Sequence, residues 1–364
     1  MIPLFKHYPL LSEKLPYASL GGFPTPVRKL DRLASDTGIN QLYIKRDDLS
    51  GRVFGGNKVR KFEFMLGHAL KSGIKEVLTF GFAGANHALA TAVTAQQVGL
   101  RSISMMMPEP QVPYACSNLV MTYYCGAELH HQQSKQMLIL ATAYQLIRHK
   151  LKCGSFPQFI PGRGSSPLGT TGFVNAAFEL KEQVMAGKIP EPDYIYVAKS
   201  SGGTTAGLML GIKAANLRSR VVSVCAKDEK EIDAKKMGQL YDKTALLLHS
   251  LDPLFPKLEC SDEDLDIRHD FVGRGYACPT EEGLKAMSLM EKNEEIKLDG
   301  TYTGKAFACL LDDAGKGDLR EKVVLFWNTY NSRDFSDAIA TVDCHRLPGG
   351  FHRYFEREGQ PSGH

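Results

Sequence analysis

"KEVLTFGFAGANHALATAVTAQQVGLRSISMMM" (residues 75–107) sets two apolar runs on either side of a helical pattern. KEVLTFG is short, with Val77, Leu78 and Phe80 at its centre, and reads as a buried strand. ANHALATAVTAQQVG repeats small apolar residues at helical spacing, and Gly99 supplies a C-terminal stop. RSISMMM then reads as a second buried strand. A strand, a helix and a strand joined by short loops form a parallel unit, since parallel neighbours need a crossover connection.

The pattern recurs along the chain. A helix from about Tyr114 to Cys125 closes at Gly126, DYIYVA (193–198) is a strand, TTAGLMLGIKAAN (204–216) a helix, RVVSVCA (220–226) a strand, and KVVLFWNTY (322–330) a late strand. These units gather at about 75–150 and about 170–330, which predicts an α/β protein of two parallel-sheet domains facing a cleft. No fixed-period repeat is present. The charged stretch from Lys227 to Asp270 predicts an exposed helix pair and a linker, and the last twenty residues a docked or frayed tail.

A chain of 364 residues is long enough for two such domains. With 44 basic and 40 acidic residues well mixed, the formal charge of +4 is not a nucleic-acid footprint. The eight cysteines are scattered without a CxxC pair, and His130-His131 has no cysteine at zinc-ligand spacing. They predict no metal site and reduced thiols in a cytoplasmic protein. The N-terminal twenty residues mix Lys, His, Glu and three prolines with apolar residues, and no apolar run reaches about eighteen residues, so neither signal peptide nor membrane span is expected.

Three short stretches carry chemistry. In FGGNKVRKFEF (54–64), two glycines and an asparagine precede Lys58, and Phe62, Phe64, Met65, Leu66 and Ala69 recur at helical spacing behind it. Lys58 thus falls in a first helical turn, where a cation gains nothing from the helix dipole. On these residues alone a solvated surface lysine is the favoured reading. In VAKSSGGTTAGLMLG (197–211) a strand runs through small residues into an apolar helix. Ser201, Gly202, Gly203, Thr204 and Thr205 could therefore wrap a phosphate at a helix N-terminus, although a plain N-cap has the same appearance. In GFAGANHALATA (81–92), Asn86 and His87 open a helix whose amides could hold a carboxylate, or His87 could be a core or capping histidine.

Taken in order, KRDDLSG (45–51), GGNKVRK, ANH, SSGGTTAG, YACPTEEG and LDGTYTGKA span about residues 20–335. The set resembles the fold-type II pyridoxal-phosphate enzymes, and within them the group of D-cysteine desulfhydrase and 1-aminocyclopropane-1-carboxylate deaminase. The resemblance implies a tryptophan synthase β-like pair of open twisted sheets with pyridoxal 5'-phosphate in the cleft. The large cofactor domain would take residues 1–62 and 166–345, the small domain 63–165 and the tail 346–364. It further implies a homodimer and a small amino acid as substrate.

By position, the resemblance makes Lys58 the cofactor-bearing lysine and the base and acid at Cα, a role that needs a lowered pKa. Lys61 would reach the phosphate together with Ser201 to Thr205, Asn86 the ring hydroxyl, and Thr329 the pyridine nitrogen as a neutral partner, which favours elimination. Tyr276 and Tyr302 match positions that face the substrate, Tyr302 being the better second proton-transfer group. Ala85, His87 and Tyr330 fall at substrate-binding positions. Three residues depart from the family. Ala85 stands where a serine is usual, Tyr330 and Asn331 replace two glycines, and Thr303 stands where the deaminases carry glutamate. The activity so implied is β-elimination from a small amino acid to a 2-oxo acid and ammonia, with D-cysteine as the default substrate. Cyclopropane ring opening, racemisation and a cofactor-binding paralogue without turnover are the alternatives.

Overall fold

The computed structural model describes residues 1–108, 114–227 and 230–355. The chain divides into two compact units, one of residues 1–16, 21–64 and 165–332, the other of 17–20, 65–164 and 333–364. The ten strands among the described residues are β1 (Val27–Lys29), β2 (Gln41–Arg46), β3 (Glu76–Phe82), β4 (Arg101–Met107), β5 (Glu128–His131), β6 (Gln158–Ile160), β7 (Tyr194–Lys199), β8 (Arg220–Cys225), β9 (Asp266–Arg268) and β10 (Val323–Asn328).

The first unit is built on a six-stranded sheet in the order β1-β2-β10-β7-β8-β9. Only the edge strand β1 is antiparallel, pairing Val27 with Lys45, and the other pairings are parallel. All six residues of β10 are buried, which is why its first five, Val323 to Trp327, read as a continuous apolar run with no alternation. One face packs Leu30, Leu33, Ile44, Tyr196, Val222, Phe307, Leu310 and Phe326 into a single apolar cluster.

Elsewhere in this unit the helices Pro167–Met185 and Gly203–Ala214 lie close together, because small residues line their contact. A Cβ on Gly207 would stand 2.5 Å from the Thr170 carbonyl, and one on Gly211 2.6 Å from the Ala177 methyl. The first of these helices starts on Ser166, whose hydroxyl accepts the Gly169 N–H, with Pro167 preset for a first helical position.

The second unit holds a four-stranded, wholly parallel sheet in the order β5-β4-β3-β6. Its helix Asn86–Gln97 is buried almost throughout, as its alanine content allows. The helix Lys135–Cys153 presses Leu138, Ala141 and Leu146 against Leu78, Ile103 and Met105.

The two sheets and the strand-helix alternation agree with the expected α/β class. Residues 333–345, expected with the larger domain, group with the second unit. Of the expected tail, residues up to 355 are docked there, with Phe351 and Tyr354 buried, and 356–364 lie outside the described residues. The exposed helix pair expected after Lys227 is instead one helix, Lys230–Leu251, that buries Met237, Tyr241, Ala245 and Leu248, followed by the edge strand β9; residues 228 and 229 lie outside the described residues. No helix among the described residues is long and apolar enough to cross a membrane.

Candidate active site

Lys58 is the first residue of the helix Lys58–Lys71. The loop before it is held on three sides within the first unit. The Gly56 N–H donates to the Asp47 carbonyl at 2.7 Å, and the Ser50 hydroxyl to the Gly56 carbonyl at 3.0 Å. The Asn57 N–H donates to the Thr329 carbonyl at 3.2 Å, just past β10. The Asn57 carboxamide reaches forward to Thr204 Oγ1 at 3.2 Å, tying the lysine loop to the glycine-rich loop. Gly56 is obligatory here, since it has φ +88° and a Cβ would stand 2.7 Å from the Thr329 carbonyl oxygen.

The glycine-rich loop turns on Gly202 (φ +82°) into the helix Gly203–Ala214, with its amides at the helix N-terminus. A Cβ at Gly203 would meet Ser165 Oγ at 2.6 Å and Lys61 Nζ at 3.0 Å, so the glycine keeps open a cradle lined by a hydroxyl and a cation. Ser165 Oγ lies 2.7 Å from Ser201 Oγ. Thr205 is fully buried, and its hydroxyl has no hydrogen-bond partner among the described residues. An orphaned buried hydroxyl, a lysine, two serines and the first amides of a helix form a donor set for a phosphate dianion. The residues present therefore fit the phosphate of pyridoxal phosphate.

Tyr276 and Tyr302 belong to the same unit and meet hydroxyl to hydroxyl at 2.7 Å, with their rings edge to face. The Asp299 carboxylate accepts the N–H groups of Thr301, Tyr302 and Thr303 at 2.9, 2.7 and 3.3 Å and so fixes Tyr302 at the head of the helix Thr303–Gly315. Thr303 is spent in the same knot, its hydroxyl donating to Asp299 at 2.8 Å. Opposite, the buried Lys305 ammonium holds the carbonyls of Val272 and Gly275 at 2.7 and 3.1 Å, which fastens the turn that carries Tyr276. Burial lowers the Lys305 pKa. Burial and the nearby Asp299 charge raise that of Tyr330, so this half-buried phenol stays neutral.

Beneath Lys58 lies a buried ionic cluster. Arg60 makes paired contacts to Asp47 (2.8 and 2.7 Å) and to Glu179 (2.9 and 2.9 Å), and the Lys45 ammonium binds Glu179 at 2.5 Å. The Trp327 indole N–H donates to Asp47 at 2.7 Å. Burial alone would raise the Glu179 pKa, but the Arg60 and Lys45 cations override it and bring it down to about 2.

Ala85, Asn86 and His87 belong to the second unit. Ala85 is the N-cap of the helix Asn86–Gln97 and makes no side-chain cap bond. Asn86 Oδ1 accepts from Asn118 Nδ2 at 3.0 Å. His87 is buried, its Nε2 2.9 Å from Thr79 Oγ1; that hydroxyl spends its own proton on the Ile160 carbonyl, so Nε2 is the donor.

Sequence reasoning passed over Ser165, Asp299 and Lys305, and it noted Asn57 and Asn331 without giving either a supporting role. Asp299 alone had a readable signal, an acidic residue just before a helix start.

The sequence of residues 18–329 matches the family model described as "Pyridoxal-phosphate dependent enzyme". A Pyrococcus horikoshii protein provisionally named a 1-aminocyclopropane-1-carboxylate deaminase is 34% identical over 315 residues, covering 86% of this chain and 91% of that one. The D-cysteine desulfhydrase of Serratia proteamaculans is 31% identical over 333 residues, covering 88% and 96%. Among solved structures, an ACC deaminase homologue superposes with TM-score 0.76 at 33% identity, covering 92% of this chain and 98% of its own. A fungal L-serine ammonia-lyase from Rhizomucor miehei, 16% identical with TM-score 0.57 over 86% and 94% of the two chains, shares the fold. With the phosphate cradle, the lysine loop and these relatives in agreement, the chain belongs to the pyridoxal-phosphate dependent enzyme family.

Proposed function

We propose that the chain is a lyase that removes a β-substituent from a small amino acid, with D-cysteine as the first candidate. For D-cysteine the balance is substrate plus water giving pyruvate, ammonia and hydrogen sulfide. Bound pyridoxal phosphate supplies the electron sink at the substrate Cα. The observation that carries the reading is the Tyr276–Tyr302 hydroxyl pair, built into the same unit as Lys58 and the phosphate cradle.

In this reading Lys58 carries the cofactor and takes the Cα proton. Lys61 and residues Ser201 to Thr205 hold the phosphate, Asn86 the ring hydroxyl, and Thr329 the ring nitrogen. Tyr302, aligned by Asp299 and hydrogen-bonded to Tyr276, delivers a proton to the departing β-group. Ala85, His87 and Tyr330 border the amino acid. Cyclopropane ring opening is the weaker reading, because Thr303 is committed to Asp299 and offers no carboxylate. Eight free thiols support a cytoplasmic setting.

A homodimer completes the reading. Its support is the outward face of the helix Lys135–Cys153, where Met137, Leu140, Tyr144, Ile147 and Leu151 follow one another at steps of three and four and are 51–83% exposed. Together they offer on the order of 600 Å² of apolar surface, near one partner's share of a standard interface.

The test is the visible spectrum of the purified protein and of Lys58→Ala, with and without D-cysteine. A cofactor band absent from the variant, perturbed by D-cysteine and followed by sulfide and pyruvate, supports the lyase. A band unmoved by any D- or L-amino acid leaves a cofactor-binding protein without turnover. No band even with added cofactor overturns the reading.

A further inference from the structure

The loop Gly55-Gly56-Asn57 presents three successive N–H groups before Lys58. Two of them end on backbone carbonyls, those of Asp47 and Thr329. The third, on Gly55, ends on a side chain: it donates to Asn331 Oδ1 at 2.7 Å. Gly55 has no slack, because a Cβ there would stand 2.0 Å from the Asp48 carbonyl oxygen. The neighbour of Asn331 repeats the connection, the Ser332 hydroxyl donating to that Asp48 carbonyl at 3.2 Å. The segment's other end is braced by the Tyr330 N–H on Asn328 Oδ1 at 3.2 Å. Residues 328–332 thus form a strap from the end of β10 across the lysine loop, and the Asn331 carboxamide is the part that grips the loop.

We propose that Asn331 is a positioning residue for Lys58, setting where the lysine amine stands relative to the phosphate cradle that Asn57 joins at Thr204. The proposal rests on the family reading of Lys58. Asn331 need touch neither cofactor nor substrate. It acts by holding the Gly55 amide, and through it the first turn of the helix Lys58–Lys71. The remaining anchors of the loop, from Asp47, Ser50 and Thr329, keep the fold when Asn331 is truncated, whereas the amine's approach to its reaction partner is sensitive to shifts below an ångström.

The experiment compares native protein with Asn331→Gly, Asn331→Ala and Asn331→Asp. One readout is the rate at which added pyridoxal phosphate develops the visible band. A second is the affinity for pyridoxine 5'-phosphate, which has the phosphate but no aldehyde to meet Lys58. A third is the melting temperature. Expected for Gly and Ala is band development slowed about tenfold, with pyridoxine 5'-phosphate affinity and melting unchanged. Asn331→Asp, which retains an oxygen acceptor for the Gly55 N–H, restores the rate to within about threefold. Native rates in both truncations overturn the proposal, as does a parallel loss of pyridoxine 5'-phosphate binding and melting temperature, which marks a merely structural residue. If the native protein binds pyridoxine 5'-phosphate yet forms no band, the Lys58 reading itself fails and the proposal falls with it.

Discussion

Tyr302 is held from both directions: its amide sits on Asp299, and its hydroxyl meets a tyrosine whose turn is fastened by Lys305. Such bracing is what a proton-transfer group requires, since the reaction tolerates little error in donor position. On the proposed lyase reading with D-cysteine as substrate, Tyr302→Phe is expected to lower kcat by about 10²-fold. Visible band and melting temperature should stay native, and steady-state kinetics beside a thermal melt checks this. An equal loss of band and activity would make Tyr302 a cofactor-holding residue instead. The family resemblance singled out Tyr276 and Tyr302, and the stretches leading to Lys58 and through Ser201 to Thr205 were legible as glycine-rich turns before helices. Their supports were not. Gly55 and Asn331 stand 276 positions apart, and Lys305 and Val272 stand 33 apart, so these bonds leave no local pattern.

Between elements, the heaviest polar contact joins the first turn of the helix Lys58–Lys71 to the helix Pro167–Met185 through Arg60 and Glu179. With the Glu179 pKa depressed to about 2 from a usual value near 4.5, the carboxylate stabilises the fold above about pH 4.5. That contribution fades as pH falls from there through about 2. Glu179→Gln leaves two buried cations short of an anion and is expected to cost about 3–5 kcal/mol at pH 7. Denaturant midpoints of native and variant should converge between pH 7 and pH 3; parallel curves would show that the cluster does not govern acid stability. Elements rich in apolar residues, such as β10 with Val323 to Trp327 and β4 with Ile103 and Met105 to Met107, were readable from sequence. The helix Lys230–Leu251 was misread, because its buried stripe of Met237, Tyr241, Ala245 and Leu248 is threaded through charged residues.

At the scale of the whole molecule, the proposed dimer predicts that Leu140→Glu with Ile147→Glu leaves the protein monomeric in sedimentation velocity, since charges are not tolerated on an apolar face that association would bury. A native monomer, or a dimer indifferent to both changes, would remove that helix from the interface. The grouping into two α/β units was visible in the spacing of strands and helices. The return of residues 333–355 to the second unit was not, for this segment is made of short turns without a period. The chain contains one tryptophan, and Trp327 is wholly buried in β10 with its indole on Asp47 and its ring edge to face with Phe173. Its fluorescence therefore comes from the first unit alone, while far-ultraviolet circular dichroism reads the helices of both. One sample heated once under the two detectors would tell whether the units melt together or in sequence, with no label attached.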